Sequence, residues 1–215
     1  TQFMRHLMLD PDAPAVIFHG ETTTRAQLDR RACQIANLLT DAGAKHGAHV
    51  GIALCRSADL VAAVLAIWKV GGAYVPLLAH NPEQRLQSMA ETAGITHILV
   101  DAKTAAQLPE SFAHMTVPLS GDAKDTFEAS PLAETDLAEI LFTSGSTGNP
   151  KGVMLRWRSI ANMVQSYRHI LDRSEGPILC TTNVVFDMFN GEVTIPLSIG
   201  KTIVMADEEE MMLPW

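Results

Sequence analysis

The stretch TSGSTGNPKGVML, Thr143 to Leu155, combines glycines, hydroxyl side chains, a proline and one lysine within a short run. Glycine permits positive φ and lets backbone N–H groups approach an anion closely. The hydroxyls of Thr143, Ser144, Ser146 and Thr147 can donate further hydrogen bonds, and Lys151 supplies a point charge suited to a polyphosphate. Pro150 removes one donor and fixes the backbone just before that lysine. The chemistry this pattern offers is phosphate binding. It is not the P-loop GxxxxGK(S/T): Pro150 stands where the second glycine belongs, and Gly152 replaces the metal-binding hydroxyl. No GxGxxG fingerprint is present either. By composition alone, such a loop serves equally well as a surface turn without a ligand.

The elements that must position this loop alternate between strand and helix. AEILF ahead of the loop predicts a strand over Glu139–Phe142, and AVIFH, HVGIAL, AYVPL, HILVD, ILCTT and TIVMA predict others. Thr24 with Gln27 is a capping-box pair, and the helix it opens places Leu28, Ala32, Ile35 and Leu39 on one face, with Gly43 as the stop. Asp59–Lys69 is apolar almost all round, which predicts a buried helix closed by Gly71 and Gly72. Asn81–Pro82 reads as an N-cap followed by a first-turn proline, opening a helix to Ala93. Between Lys103 and Thr135 the periodicity fades into a long connection or a few short elements. A helix is expected from about Ser159 to Leu171, and an apolar segment over Glu192–Ile199 is stopped by Gly200. Strands separated by helices predict an α/β fold of largely parallel sheets flanked by helices.

The bulk properties narrow the function. Net charge is −8 with a pI near 5.4, which argues against nucleic acid or a membrane surface as partner. No run approaches the ~20 apolar residues of a membrane-spanning helix. Cys33, Cys55 and Cys180 show no metal or redox spacing and read as buried thiols in a reducing, cytoplasmic setting. The scattered histidines show no metal spacing, and the acidic run Asp207–Glu210 reads as a solvated loop or helix start, so no metal site is assigned. Thr1 and the final DEEEMMLPW give both ends the look of a cut, as if the chain were a piece of something longer.

LFTSGSTGNPKGVML resembles the phosphate-binding signature of the adenylate-forming enzymes, which include acyl- and aryl-CoA synthetases, luciferases and the adenylation domains of nonribosomal peptide synthetases. TTRAQLDRRACQIANLL and WKVGGAYVPLLAHNPEQRL are similar to the first two core motifs of the peptide-synthetase branch. NVVFDMFNGEVTIPLSIGKTIVMAD resembles the segment carrying a Phe-Asp pair at the substrate pocket. The four motifs occur in the family's order and span almost the whole chain.

The resemblance implies a fold corresponding to the front portion of the large N-terminal subdomain of such an enzyme. A first lobe over 1–135 and the start of a second over 136–215 are one expected division. It implies ATP and Mg²⁺, with Thr143, Ser144, Gly145, Ser146, Thr147, Gly148 and Lys151 around the β- and γ-phosphates. Asp187 corresponds to the carboxylate that binds a substrate α-ammonium, beside pocket residues Met188 and Gly191. Its other reading is a helix cap. Many relatives carry FD-x-S and a Trp at the position of Gly191, so a larger cavity or a different pocket floor is expected here. Trp157 stands where many relatives have histidine, and packing is its expected role. The expected partners are an amino acid and a peptidyl carrier domain bearing phosphopantetheine. The family's catalytic lysine lies in a C-terminal subdomain beyond residue 215, so no catalytic residue is assigned and the chain alone is expected to be inactive. A stand-alone acid–CoA ligase and a non-catalytic fragment are the alternatives.

Overall fold

The computed structural model of the chain describes residues 2–143, 150–171, 175–207 and Glu210. Among these, a six-stranded sheet is built from β3 (His49–Ala53), β4 (Ala73–Pro76), β5 (His97–Val100), β6 (Thr116–Pro118), β7 (Leu137–Thr143) and β8 (Lys151–Arg156). Its strand order is β6-β5-β3-β4-β7-β8. All pairs are parallel except β7 with β8. A second sheet is built from β1 (Pro14–Phe18), β2 (Glu21–Thr24), β9 (Ile178–Cys180) and β10 (Ile203–Met205), in the order β2-β1-β10-β9. Only β1 with β2 is antiparallel there. Both sheets draw strands from either side of residues 135 and 136, so a division at that point does not coincide with a boundary between sheets.

The core lies between the sheets. The helix α2 (Arg25–Asp41) starts at the capping box read from the sequence: Gln27 N–H donates to Thr24 Oγ1, and Thr24 N–H donates to Gln27 Oε1. Its face of Leu28, Ala32, Ile35 and Leu39 is fully buried. It packs on α3 (Ala58–Val70), whose apolar residues join the same cluster as Val16 and Ile203 of one sheet and Val50, Ile52 and Tyr74 of the other. A helix with apolar residues all round has a place between two sheets. Gly71 ends it in the left-handed region at φ 84°. The alternating residues of the six-stranded sheet, such as Val75, Ile98 and Val100, point the other way. They form a second cluster with Leu86 and Met89 of α4 (Glu83–Ala93).

Several elements differ from expectation. Pro82, not Asn81, occupies the cap position of α4 and makes no side-chain cap bond. The residue before a proline is held out of the helical region, which keeps Asn81 outside. The weakly patterned stretch holds the short helix α5 (Ala102–Ala105), a 3₁₀ turn over Glu110–Met115 and β6. The helix α1 (Gln2–Leu9) and strands β2 and β8 have no counterpart in the sequence pattern, and α6 (Trp157–Leu171) follows β8 directly. The segment before Gly200 is a helix, α7 (Asp187–Ile199), that begins five residues earlier than the apolar pattern suggests and contains Pro196.

Arg56, in the turn between β3 and α3, ties the two sheets together. It is 8% exposed, and its guanidinium donates to three carbonyls: Cys180 at 2.6 Å, Thr182 at 2.5 Å and Ala206 at 2.6 Å. These carbonyls lie at or just past the carboxyl ends of β9 and β10. Replacing Arg56 with Met removes every one of these donors from a buried site, and is expected to cost about 2–4 kcal/mol in urea unfolding of the chain. A change within the error of the measurement would show that the clamp is dispensable.

Candidate active site

The glycine loop connects β7 to β8, and its two feet are Cα partners: Thr143 faces Lys151 across the antiparallel ladder. Both feet are exposed. Ser144, Gly145, Ser146, Thr147 and Gly148 lie outside the described residues. The element that follows β7 is another strand, β8, whereas a P-loop leads from a strand into a helix whose N-terminus contributes to the phosphate site. The β7–β8 pairing shifts register between Leu137 and Glu139, an irregularity of the kind often found beside functional sites.

Asp187 is the first residue of α7. Phe186 takes the cap position and makes no side-chain cap bond, and the Asp187 carboxylate has no hydrogen-bond or ion-pair partner among the described residues. The capping alternative is therefore not what the structure shows. A carboxylate in the first helical turn is nonetheless favoured by the peptide dipoles. Asp187 borders two cavities. One, of about 420 Å³, is lined by Asp187, Met188 and Gly191 together with apolar side chains such as Met163, Ile178 and Ile195. The other, of about 580 Å³, is lined by Asp187, Phe186, Thr143, Val153 and Arg85. Thr143 and Asp187 thus meet at one cavity, and Asp187, Met188 and Gly191 meet at the other. Lys151 lines neither. Met188 is 60% exposed. A Cβ built on Gly191 would lie 3.6 Å from Ile195 Cδ1 and 3.7 Å from Met163 Sδ, so the missing side chain leaves space between α6 and α7.

Sequence reading missed a buried polar network in the wall of the smaller cavity. Glu139 on β7 is 0% exposed, yet it lies among the residues bordering that cavity. Tyr74 on β4 donates its hydroxyl proton to Glu139 Oε1 at 2.6 Å, and Asn190 Nδ2 on α7 donates to Oε2 at 2.9 Å. Burial pushes the Glu139 carboxyl up to about 7; the two hydrogen bonds oppose this, and the nearby Asp187 charge adds to it. Burial, followed by the charge of Glu139, likewise raises the Tyr74 phenol well above its ordinary range. The signal in the sequence was the lone acidic residue inside AEILF: a carboxyl in a buried strand requires partners. Glu192, which also lines this cavity, accepts from the Thr182 backbone N–H at 2.9 Å and from its hydroxyl at 2.7 Å.

Trp157 packs edge-on against Trp68, with ring centroids 4.8 Å apart at 67°, and lines a separate groove with Leu65, Val164 and Leu197. Packing is its role in this structure. Cys33 and Cys180 are buried, Cys55 is half-buried, and no disulfide joins them. Among the described residues no group of three or more His, Cys, Asp and Glu side chains has an arrangement that would hold a metal, and no helix is long and apolar enough to cross a membrane.

The family model for AMP-binding enzymes matches residues 3–215, and the chain belongs to that family. It is 36% identical over 213 residues to one of the proteins that make up the linear gramicidin synthase of Brevibacillus parabrevis, covering 96% of this chain and 4% of that protein. It is 34% identical to the malpinin synthetase of Mortierella alpina, covering 98% of this chain and 3% of the relative. Among solved structures, the nonribosomal peptide synthetase FmoA3 bound to AMPPNP matches with a TM-score of 0.86 at 28% identity, over 95% of this chain and 22% of FmoA3. The N-terminal subdomain of Klebsiella oxytoca NpsA matches over 100% of this chain and 55% of its own length, with a TM-score of 0.84 at 26% identity. The α/β fold is thus that of the N-terminal subdomain of a peptide-synthetase adenylation domain, and the chain spans only a small part of the synthetases it matches.

Glu139 makes stability depend on pH. Its carboxyl holds a proton to higher pH when folded than the ordinary value of 4.5. Over that window the folded state binds more protons than the unfolded chain, so this group's contribution to stability is lost as pH rises from about 4.5 to about 7, and is flat above. The loss amounts to roughly 3 kcal/mol. Urea unfolding of the chain at pH 5 and pH 8 should show it, and Glu139→Gln should remove most of it. An identical pH profile in the variant would contradict the assignment.

Proposed function

We propose that the chain is the front portion of an adenylation domain that activates an amino acid with ATP and passes it to the phosphopantetheine thiol of a carrier domain. The observation that carries the reading is Asp187: an unpaired carboxylate at the mouth of a largely apolar cavity, next to the cavity reached by Thr143. Asp187 is exposed in this structure, so it is the bound substrate that takes its carboxylate out of water; an ammonium then compensates the charge, whereas an acid without the amine leaves it uncompensated.

In this reading the substrate carboxylate attacks the α-phosphorus of ATP. The bond to the bridging oxygen breaks, pyrophosphate leaves and an acyl adenylate forms. Thr143, Ser144, Gly145, Ser146, Thr147, Gly148 and Lys151 surround the departing phosphates and offset their charge, so their contribution is electrostatic. Mg²⁺ bound with ATP supplies further positive charge. Asp187 holds the ammonium, and Met188 and Gly191 border the space for the side chain. The carrier thiol then attacks the acyl carbon and AMP departs. The short share of each relative that is covered supports an incomplete site, and the 215-residue chain alone is proposed to adenylate nothing measurable.

A second reading has a specific observation behind it: the NpsA subdomain, at 25% identity, has been solved in complex with 3-hydroxybenzoyl-AMSN, and a hydroxybenzoyl group carries no α-amine. ATP–pyrophosphate exchange by the intact enzyme, over amino acids and their deaminated counterparts, separates the two. Exchange driven by amino acids and reduced on the order of 100-fold by Asp187→Ala is the expected result. Exchange driven by amine-free acids and indifferent to Asp187→Ala would move the chain to the acyl- or aryl-acid ligases.

A further inference from the structure

The cavity bordered by Asp187, Met188 and Gly191 also borders Glu139 and Glu192, and no lysine or arginine is among the described residues that line it. Glu192 is engaged by Thr182. Glu139 is different. It sits on β7 opposite Tyr74, and it grips α7 through Asn190, three residues on from Asp187 and therefore on the same side of the helix. Nothing in the adenylation chemistry above uses it.

We propose that Glu139 is a positioning residue of the substrate site: it fixes the first turn of α7, and its carboxyl shares a cavity wall with Asp187, so that losing its proton strengthens the hold on a cationic group. The proposal rests on the amino-acid reading above. Tyr74 and Asn190 give the carboxyl two donors, whereas a carboxylate can accept about four hydrogen bonds. A buried acid supplied with half its partners, and with a second carboxylate nearby, retains its proton into the neutral range. A substrate ammonium beside Asp187 reverses the balance, favouring ionised Glu139 and releasing the proton to solvent. Among the described residues, the titratable or charged groups that act on Glu139 or line the same cavity are Tyr74 from β4, Asp187 and Glu192 from α7 and Tyr167 from α6; β8 presents Leu155. All are acids or phenols, so among the described residues lining the cavity no cation competes with the substrate for the charge.

The test has two arms. The first follows the Glu139 carboxyl by ¹³C NMR in the 215-residue chain. Its midpoint should lie near neutrality and move to lower pH in Asp187→Asn. A midpoint that ignores Asp187→Asn overturns the proposal whatever acid the enzyme activates. The second arm measures exchange kinetics of the intact enzyme from pH 6 to pH 8. KM for the amino acid should fall roughly five-fold more in the wild type than in Glu139→Gln, with the difference in KM rather than kcat. Using the same ATP in both proteins cancels the titration of the nucleotide. Glu139→Leu, which leaves Asn190 and Tyr74 without their acceptor, should raise KM throughout the range, and Glu139→Gln should restore it at pH 6. Superimposable profiles for wild type and Glu139→Gln, with KM unaltered in Glu139→Leu, would also overturn the proposal. Exchange only with amine-free acids, alongside an intact NMR response, would instead reject the amino-acid reading and the ammonium role with it.

Discussion

A buried guanidinium holds the site in place. Arg56 leaves the turn after β3 and ends among the carbonyls of Cys180, Thr182 and Ala206, with no carboxylate taking part in those bonds. Three carbonyl oxygens, with a longer contact from Nη2 to the Cys180 sulfur at 3.6 Å, satisfy its planar fork, a geometry that a lysine's compact charge would not match. The segment it grips runs from β9 into α7, so the starting point of Asp187 is set by a residue of the other sheet. Thr182, whose carbonyl accepts from Arg56, also donates to Glu192 on α7. Sheet, turn and helix are thereby joined in one continuous set of bonds.

The α7 helix is held from two sides by different means. Phe189, Val193 and Leu197 join the large apolar core. Asn190 and Thr194 form a buried polar line, with Thr194 Oγ1 donating to the Asn190 carbonyl at 2.7 Å and Asn190 reaching Glu139 and Tyr74. Apolar burial supplies most of the attraction, and polar bonds with strict geometry select one rotational setting of the helix. Asp187, free of such bonds, is what the setting presents to the cavities.

Much of the frame was legible because its signals are local. The Thr24–Gln27 box, the all-round apolar Asp59–Lys69 stretch and the glycine at the end of α3 each act within a few residues, and each stands in the structure as read. Strand β8 was hidden because its residues are mostly exposed, leaving no alternation to detect. The start of α7 was obscured by Asp187, Asn190 and Gly191, and Pro196 within the helix weakened the pattern further. Asp187, Met188 and Gly191 were legible as a group through their likeness to a known motif. The roles of Glu139 and Arg56 depend on partners far away in sequence, Asn190 and Cys180 among them, and no window of neighbouring residues contains that information.

Gly191 has a consequence for how such a pocket changes over time. Its ideal Cβ would meet its neighbours at ordinary contact distances and its φ is not in the left-handed region, so the backbone does not demand glycine there. Alanine, serine or valine lies a single nucleotide away from a glycine codon. Each would narrow the space beside Met163 in small steps while the bonds that orient α7 stay as they are. Binding preference and foldability are thus governed by separate residues on the same turn of helix, which lets selection adjust one without placing the other at risk.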